Sequence, residues 1–280
     1  GKKRIESWED RFSTTDYFTL NLVKGREYDF RVEIFENKWE AKAFLGWDYG
    51  LDDSENTKIA NAVKAAKAAG AAVIVASIEE GEFIDRCSLD LPGFQERLIR
   101  EVAAAGVPAV VVLVGGSAIT MSNWLDDVPA VLDAWYGGDE GGIAVAEAIF
   151  GDYNPGGKLP ITFPKSASQL PLVYNHKPTG RGYDYTFMSA VPLFPFGYGL
   201  SYTQFEYTNL QFSDKSIRPD GTITVSADVR NSGKVKGDEV VQMYLRDVIG
   251  SVSRPVKELK GFRRISLDPG ETRKVSFTLT

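Results

Sequence analysis

Five carboxylates crowd the sixteen residues IEEGEFIDRCSLDLPG (78–93), directly behind the apolar run AAVIVA at 71–76. A carboxyl group at the carboxyl end of a buried strand occupies the place where α/β folds put their sites. It becomes a general acid when burial or a like-charged neighbour keeps its proton on near neutral pH. Within EEGEFIDR the connection carries Glu82, Asp85 and Arg86, and Glu82 is the candidate acid. Glycosidic cleavage of this kind needs a second carboxylate about 5 to 10 Å away, and the local pattern identifies none. The plainer reading makes Glu79 and Glu80 solvated loop charges and Asp85–Arg86 a structural ion pair. Acid clusters in loops are common, so on pattern alone the plainer reading is the better one.

Other constellations are weaker. YGGDEGGIAVAEAIFG (136–151) leads four glycines into a helix, but it lacks the GxxxxGK[ST] spacing and carries two acids where an anion site needs positive potential. VLVGGSA (112–118) lacks the GxGxxG pattern of a dinucleotide turn. His176 lies in YNHKPTGRGY beside Asn175, Lys177 and Arg181, a polar and aromatic loop suited either to a sugar hydroxyl or to plain surface. Trp124, Trp135, Tyr136 and Tyr174 suit sugar stacking, although most such aromatics are core.

These residues must be positioned by three zones of different texture. Residues 1–50 read as a short antiparallel β segment, with YFTLNLV, a KGREY turn, DFRVEIF and KAFLGW. Residues 51–202 alternate helices with buried strands. IANAVKAAKAAGA sets Ile59, Val63 and Ala66 at helical spacing; a second helix fits 93–105 and a third 141–151; strands are expected at AVIVA, VPAVVVLV, AVLDAW and KLPITF. That alternation predicts a largely parallel sheet flanked by helices. Residues 203–280 lose the helical period. TITVSADV, EVVQMYL and KVSFTL alternate strictly and are separated by the turns PDG and DPGE, which predicts an antiparallel β-sandwich with about five strands. FPFGYGLSYTQFEY (194–207) is the joint between these two zones.

Composition excludes several classes. A net charge of −6 argues against a nucleic-acid or anionic-membrane partner. One cysteine, Cys87, permits no intrachain disulfide, and one histidine rules out His-rich metal sites. No apolar run approaches the roughly 18 residues of a membrane helix.

EGEFIDRCSLDLPGFQERLI, AWYGGDEGGIAVAEAIFGDYNPGGKLPITFP, LFPFGYGLSYTQFEY and SRPVKELKGFRRISLDPGE follow one another in the order and spacing of glycoside hydrolase family 3. Over residues 71 to 280 the chain resembles that family of β-glucosidases and β-xylosidases. Residues 1–50 resemble the trailing half of a PA14 module inserted in the α/β domain. The resemblance implies an α/β sandwich domain followed by a fibronectin-III-like domain, and a retaining mechanism with an aspartate nucleophile and a glutamate acid/base. Relatives place that glutamate in an E-x-x-D-R pattern, which here is Glu82-Phe83-Ile84-Asp85-Arg86. Phe83-Ile84 depart from the smaller or more polar residues common in relatives, so Glu80 stays as the alternative. Asp85 and Arg86 would hold the loop, and Trp135, Tyr174 or His176 would line the entrance.

The family's nucleophile belongs to a (β/α)8 barrel and a Ser-Asp-Trp type of motif, which this sequence lacks. The chain therefore reads as an interior piece of an exo-acting β-glycosidase, inactive and poorly soluble alone, with the barrel as its partner. Substrates implied are β-linked oligosaccharides and aryl or alkyl β-glycosides, with no metal or organic cofactor. A periplasmic or secreted location suits the resemblance, and a homo-oligomer is compatible with it. A rival from another class is a non-catalytic glycan-binding assembly.

Overall fold

The computed structural model describes residues 4–6, 18, 20–34, 46, 54–179, 184 and 186–280. The chain divides into two compact units, Gly1–Asp53 and Ser54–Thr280. In the first, the expected KGREY turn forms at Lys24–Gly25, closed by Arg26 N–H donating to Val23 O at 3.2 Å, with Gly25 at a φ of 80°. The strands expected on either side do not form among residues 20–34. Leu22, Val23, Phe30, Val32 and Ile34 are all exposed there, so no apolar burial offsets the entropy of ordering a strand. Tyr17, Phe35 and all of KAFLGW but Gly46 lie outside the described residues.

The second unit begins with α1 (Glu55–Ala69), whose first turn is capped by Ser54 accepting from Thr57 N–H and whose end is turned by Gly70 in the left-handed region. Then follow β1 (Ala72–Ser77), α2 (Gln95–Ala103), β2 (Ala109–Val114), β3 (Ala130–Asp133) and α3 (Gly141–Phe150). The three strands form a parallel sheet in the order β1-β2-β3. Ile74 and Ala76 of β1 with Val111 and Leu113 of β2 are buried in one cluster with Ile99 and Val102 of α2 and Ala66 of α1. Strand β1 hands over to the acidic loop through a side-chain clamp: Gln95 accepts from Ser77 N–H (2.8 Å) and donates to Ser77 O (2.9 Å).

KLPITF forms no strand. Pro160 within it and Pro164 after it deny ladder donors, so it keeps only isolated pairings: Leu159 N–H donates to Tyr198 O (2.8 Å) and Leu159 O accepts from Gly197 N–H (2.8 Å), while Phe163, 1% exposed, pairs across to Phe194.

The sandwich expectation is met by five strands, β4 (Phe205–Phe212), β5 (Ile223–Asn231), β6 (Gly237–Leu245), β7 (Glu258–Leu267) and β8 (Thr272–Leu279). They form an antiparallel sheet β4-β5-β8 and an antiparallel pair β6-β7. Val229, Val241, Ile265, Leu267 and Val275 fill the space between. Asn231, fully buried, donates to Val235 O and Leu267 O and accepts from Thr203 Oγ1 and Gly233 N–H, so its burial leaves no polar group wanting.

Sandwich and α/β domain are interlocked. Asn154 donates to Lys236 O (2.9 Å) and accepts from Ser201 Oγ (3.0 Å) and Tyr202 N–H (2.8 Å). Tyr202 in turn donates its hydroxyl to Ala148 O of α3 at 2.6 Å. Lys158 reaches Glu239 of β6 at 3.1 Å and Gly199 O at 2.8 Å. Gly199 is a glycine because a Cβ there would lie 2.2 Å from Gly157 O, a backbone atom that cannot swing aside. Gly199→Ala is expected to cost about 1 to 3 kcal/mol by overpacking, read as a lowered midpoint in denaturant unfolding.

Candidate functional site

The acidic loop leaves β1 and immediately makes a two-residue turn. Ile84 N–H donates to Gly81 O at 3.0 Å, and Glu82 and Phe83 form the tip. Phe83 has a φ of 65°, a region bulky residues rarely enter, and is 85% exposed. Glu82 is exposed and forms no hydrogen bond or ion pair with the described residues.

Glu80, at the base of the turn, is deeply engaged. Its Oε1 accepts from Gly116 N–H at 2.7 Å, and its Oε2 accepts from Ser117 Oγ at 2.6 Å. Arg86 stands 3.7 Å from the same Oε2, with both side chains largely shielded. Arg86 also donates to Ser117 Oγ (2.9 Å), Ala118 O and Asp90 O. Two expectations are corrected here. Glu80 is not a solvated loop charge, because the glycine-rich end of β2 offers it donors that water would otherwise supply. The ion pair is Glu80–Arg86 and not Asp85–Arg86: Asp85 is exposed and forms no hydrogen bond among the described residues, so it takes no part in holding the loop.

The far end of the loop is fixed separately. Asp90 accepts from Thr120 Oγ1 and from Ser88 Oγ, and Thr120 N–H donates to Leu89 O at 2.9 Å. Those hydroxyl bonds, helped by the Arg86 charge, hold the Asp90 carboxyl below its ordinary range. Between the two anchors lies an open cleft of about 520 Å³ lined by Glu80, Gly81, Ile84, Asp85, Arg86, Leu89, Ser117 and Tyr136, with the tip residues Glu82 and Phe83 outside its lining.

Of the other residues singled out in the sequence, none of Trp135, Tyr174 and His176 lines this cleft. Trp135 packs edge-on to Phe163, with ring centroids 6.1 Å apart, against the α/β core. Tyr174 stacks on Phe196 at 4.3 Å, and its hydroxyl accepts from Leu259 N–H, which places it at the sandwich joint. His176 is there too, its carbonyl accepting from Val256 N–H at 2.9 Å. Arg181 lies outside the described residues. Tyr136 is the aromatic that reaches the cleft.

Gly116 and Ser117 escaped sequence reasoning as site residues. The available signal was the Gly115-Gly116-Ser117 run at the carboxyl end of a buried strand. Asp133, at the end of β3, also escaped notice. Burial pushes its carboxyl up to about 6 against the hydrogen bond from Trp135 N–H, and its Oδ2 has no hydrogen-bond partner among the described residues. A carboxyl whose folded value lies above its unfolded one contributes stability fully present below pH about 4 and lost as pH rises through about 6. Asp133→Asn is expected to stabilise the protein at pH 7.5 by about 2 kcal/mol, allowing for residual solvent screening, and not at acid pH. Denaturant unfolding of both proteins on either side of that window checks it.

The fold is thus a parallel α/β domain bearing an anchored acidic turn at the carboxyl ends of its strands, followed by an antiparallel sandwich. The Glycosyl hydrolase family 3 C-terminal domain matches residues 3–202, and a Fibronectin type III-like domain matches residues 239–280. The chain belongs to glycoside hydrolase family 3. It is 46% identical to a β-xylosidase of Formosa agariphila, covering 82% of this chain and 32% of that protein. It is 43% identical to a periplasmic β-glucosidase of Salmonella typhimurium, covering 81% and 31%. The structure of a β-glucosidase from Listeria innocua in complex with isofagomine superposes with a TM-score of 0.75 at 32% identity, covering 81% of this chain and 34% of that one. The chain thus spans about a third of the length of these relatives.

Proposed function

We propose that this chain is the acid/base-bearing part of a retaining, exo-acting β-glycosidase that removes terminal β-D-glycosyl residues, with glucose the first choice of glycone and xylose the second. Glu82 protonates the departing glycosidic oxygen and then takes the proton of the incoming water. Its partner is a (β/α)8 barrel carrying the aspartate nucleophile. Residues 1–50 are read as the remainder of a PA14-like module, 51–202 as the α/β sandwich domain and 203–280 as the fibronectin-III-like domain.

The observation that carries the reading is a division of labour between two carboxylates two residues apart. Glu80 has both oxygens occupied as acceptors by Gly116 and Ser117, with the Arg86 charge 3.7 Å away, which suits an anchor. Glu82 stands unencumbered on the exposed tip that this anchor holds in place. A proton donor must present a free carboxyl to the scissile bond, and the tip residue is the one that can. The relatives' printed activities, β-xylosidase and β-glucosidase, support the substrate class. The test is removal of the Glu82 carboxyl in the enzyme that joins this chain to its barrel, with an added anion to substitute for the base.

A further inference from the structure

The connection between β6 and β7, RDVIGSVSRPVK (246–257), is far longer than the roughly two to five residues of most hairpin loops. Its shape is fixed from within. Arg254 bonds Glu258 at 2.9 Å and stands 4.0 Å from Asp247, which draws the two ends together. Gly250 is packed so closely that a Cβ there would lie 3.0 Å from Arg254 Cγ, Asp247 Oδ2 and Val252 O. At the base, Val256 N–H donates to His176 O and Leu259 N–H to Tyr174 Oη, and with Pro178 the loop encloses an open cup of about 450 Å³. The base therefore belongs to the interface between sandwich and α/β domain. The tip stands in water: Val248, Ile249 and Val252 are 78, 92 and 67% exposed. Ordering a long loop to hold three aliphatic side chains in solvent costs entropy and recovers none of it by burial.

We infer that this tip is a docking finger for the barrel of the same enzyme, extending the interface of sandwich and α/β domain onto a third domain. The inference rests on the barrel as partner and not on which glutamate is the acid. The six tip residues VIGSVS (248–253) carry no charge, and the flanking Asp247 and Arg254 face each other, so docking desolvates apolar groups alone. That is the character of a permanent interface. Three aliphatic side chains offer roughly 300 Å² of apolar surface, well short of the about 800 Å² a side that separate partners bury. A domain on the same chain is already held at high effective concentration, so a contact this small suffices.

The experiment uses the barrel-bearing enzyme with a thiol placed at the tip, Ile249→Cys, or on the exposed bend before β5, Lys215→Cys. Maleimide modification of each site is followed by peptide mass. The thiol of Ile249→Cys should react at least about 10-fold more slowly than that of Lys215→Cys in the folded enzyme, and at the same rate in denaturant. Val252→Cys repeats the measurement if Ile249→Cys does not fold. Equal rates in the folded enzyme overturn the finger. Protection that vanishes on dilution to the monomer assigns the tip to a second copy, and protection that appears only with added cellobiose assigns it to a glycan; either overturns the barrel as occupant. A protected tip in an enzyme that hydrolyses no β-glycoside overturns the glycosidase reading and leaves the finger standing, whereas a freely labelled tip in an active enzyme overturns the finger alone.

Discussion

Glu82→Ala in the barrel-bearing enzyme is expected to lower turnover of β-glycosides with poor leaving groups by about 10²- to 10⁴-fold, the range of general acid–base catalysis. The size of the loss should depend on the leaving group. A dinitrophenolate departs without a proton, so the first step on a dinitrophenyl glycoside should survive and the loss should fall on the second step, which needs a base to activate water. Azide is an anion and requires no such base. Added azide should therefore restore turnover of that substrate and yield the β-glycosyl azide, identifiable by mass. Glu80→Ala is the essential comparison. It removes the acceptor of the Gly116 and Ser117 bonds and frees the turn, so activity should fall without rescue by azide. If azide rescues Glu80→Ala and leaves Glu82→Ala unaffected, the roles of the two glutamates are exchanged.

Glu239→Ala is expected to destabilise the junction by about 3 to 5 kcal/mol, the cost of removing one partner from a buried ion pair. Glu239 is 8% exposed, its Oε2 is 3.1 Å from Lys158 Nζ, and its Oε1 accepts from Tyr207 Oη at 2.9 Å. Deleting the carboxylate strands a shielded ammonium whose remaining partner is Gly199 O. The penalty thus belongs mostly to the orphaned lysine. Pairing Glu239→Leu with Lys158→Met removes both charges and should recover most of the loss. Denaturant unfolding of the single and double variants checks this; a double variant as weak as the single one would locate the cost in packing.

Much of the frame was legible from local pattern. The run AVVVLV reads as a strand buried on both faces, and of the apolar face of TITVSADV the last residue, Val229, is fully buried while Ile223, Val225 and Ala227 are half-buried. What stayed illegible depends on partners distant in sequence. Glu80 looks like any loop acid until Gly116 and Ser117, 36 and 37 residues away, supply its donors. Tyr174 looks like a sugar platform until Phe196 and Tyr244 claim both its face and its edge. KLPITF has strand composition, but Pro160 within it and Pro164 just after it limit it to isolated pairings at Leu159 and Phe163. At 1–50 the apolar residues were read as strand-forming because their type suits a strand, whereas a strand also needs a surface to bury them against.

Asn154 gives the junction a mechanical character. One amide side chain ties α/β residue 154 to the backbone at Lys236 in the sandwich and at Tyr202 at the joint that leads into it. A pull applied to either stretch is shared by the other through the same residue, so the load does not run along the linker alone. The two domains should therefore behave as one stiff lever, and tilting of the sandwich would be transmitted to the end of α3 through Tyr202 and Ala148.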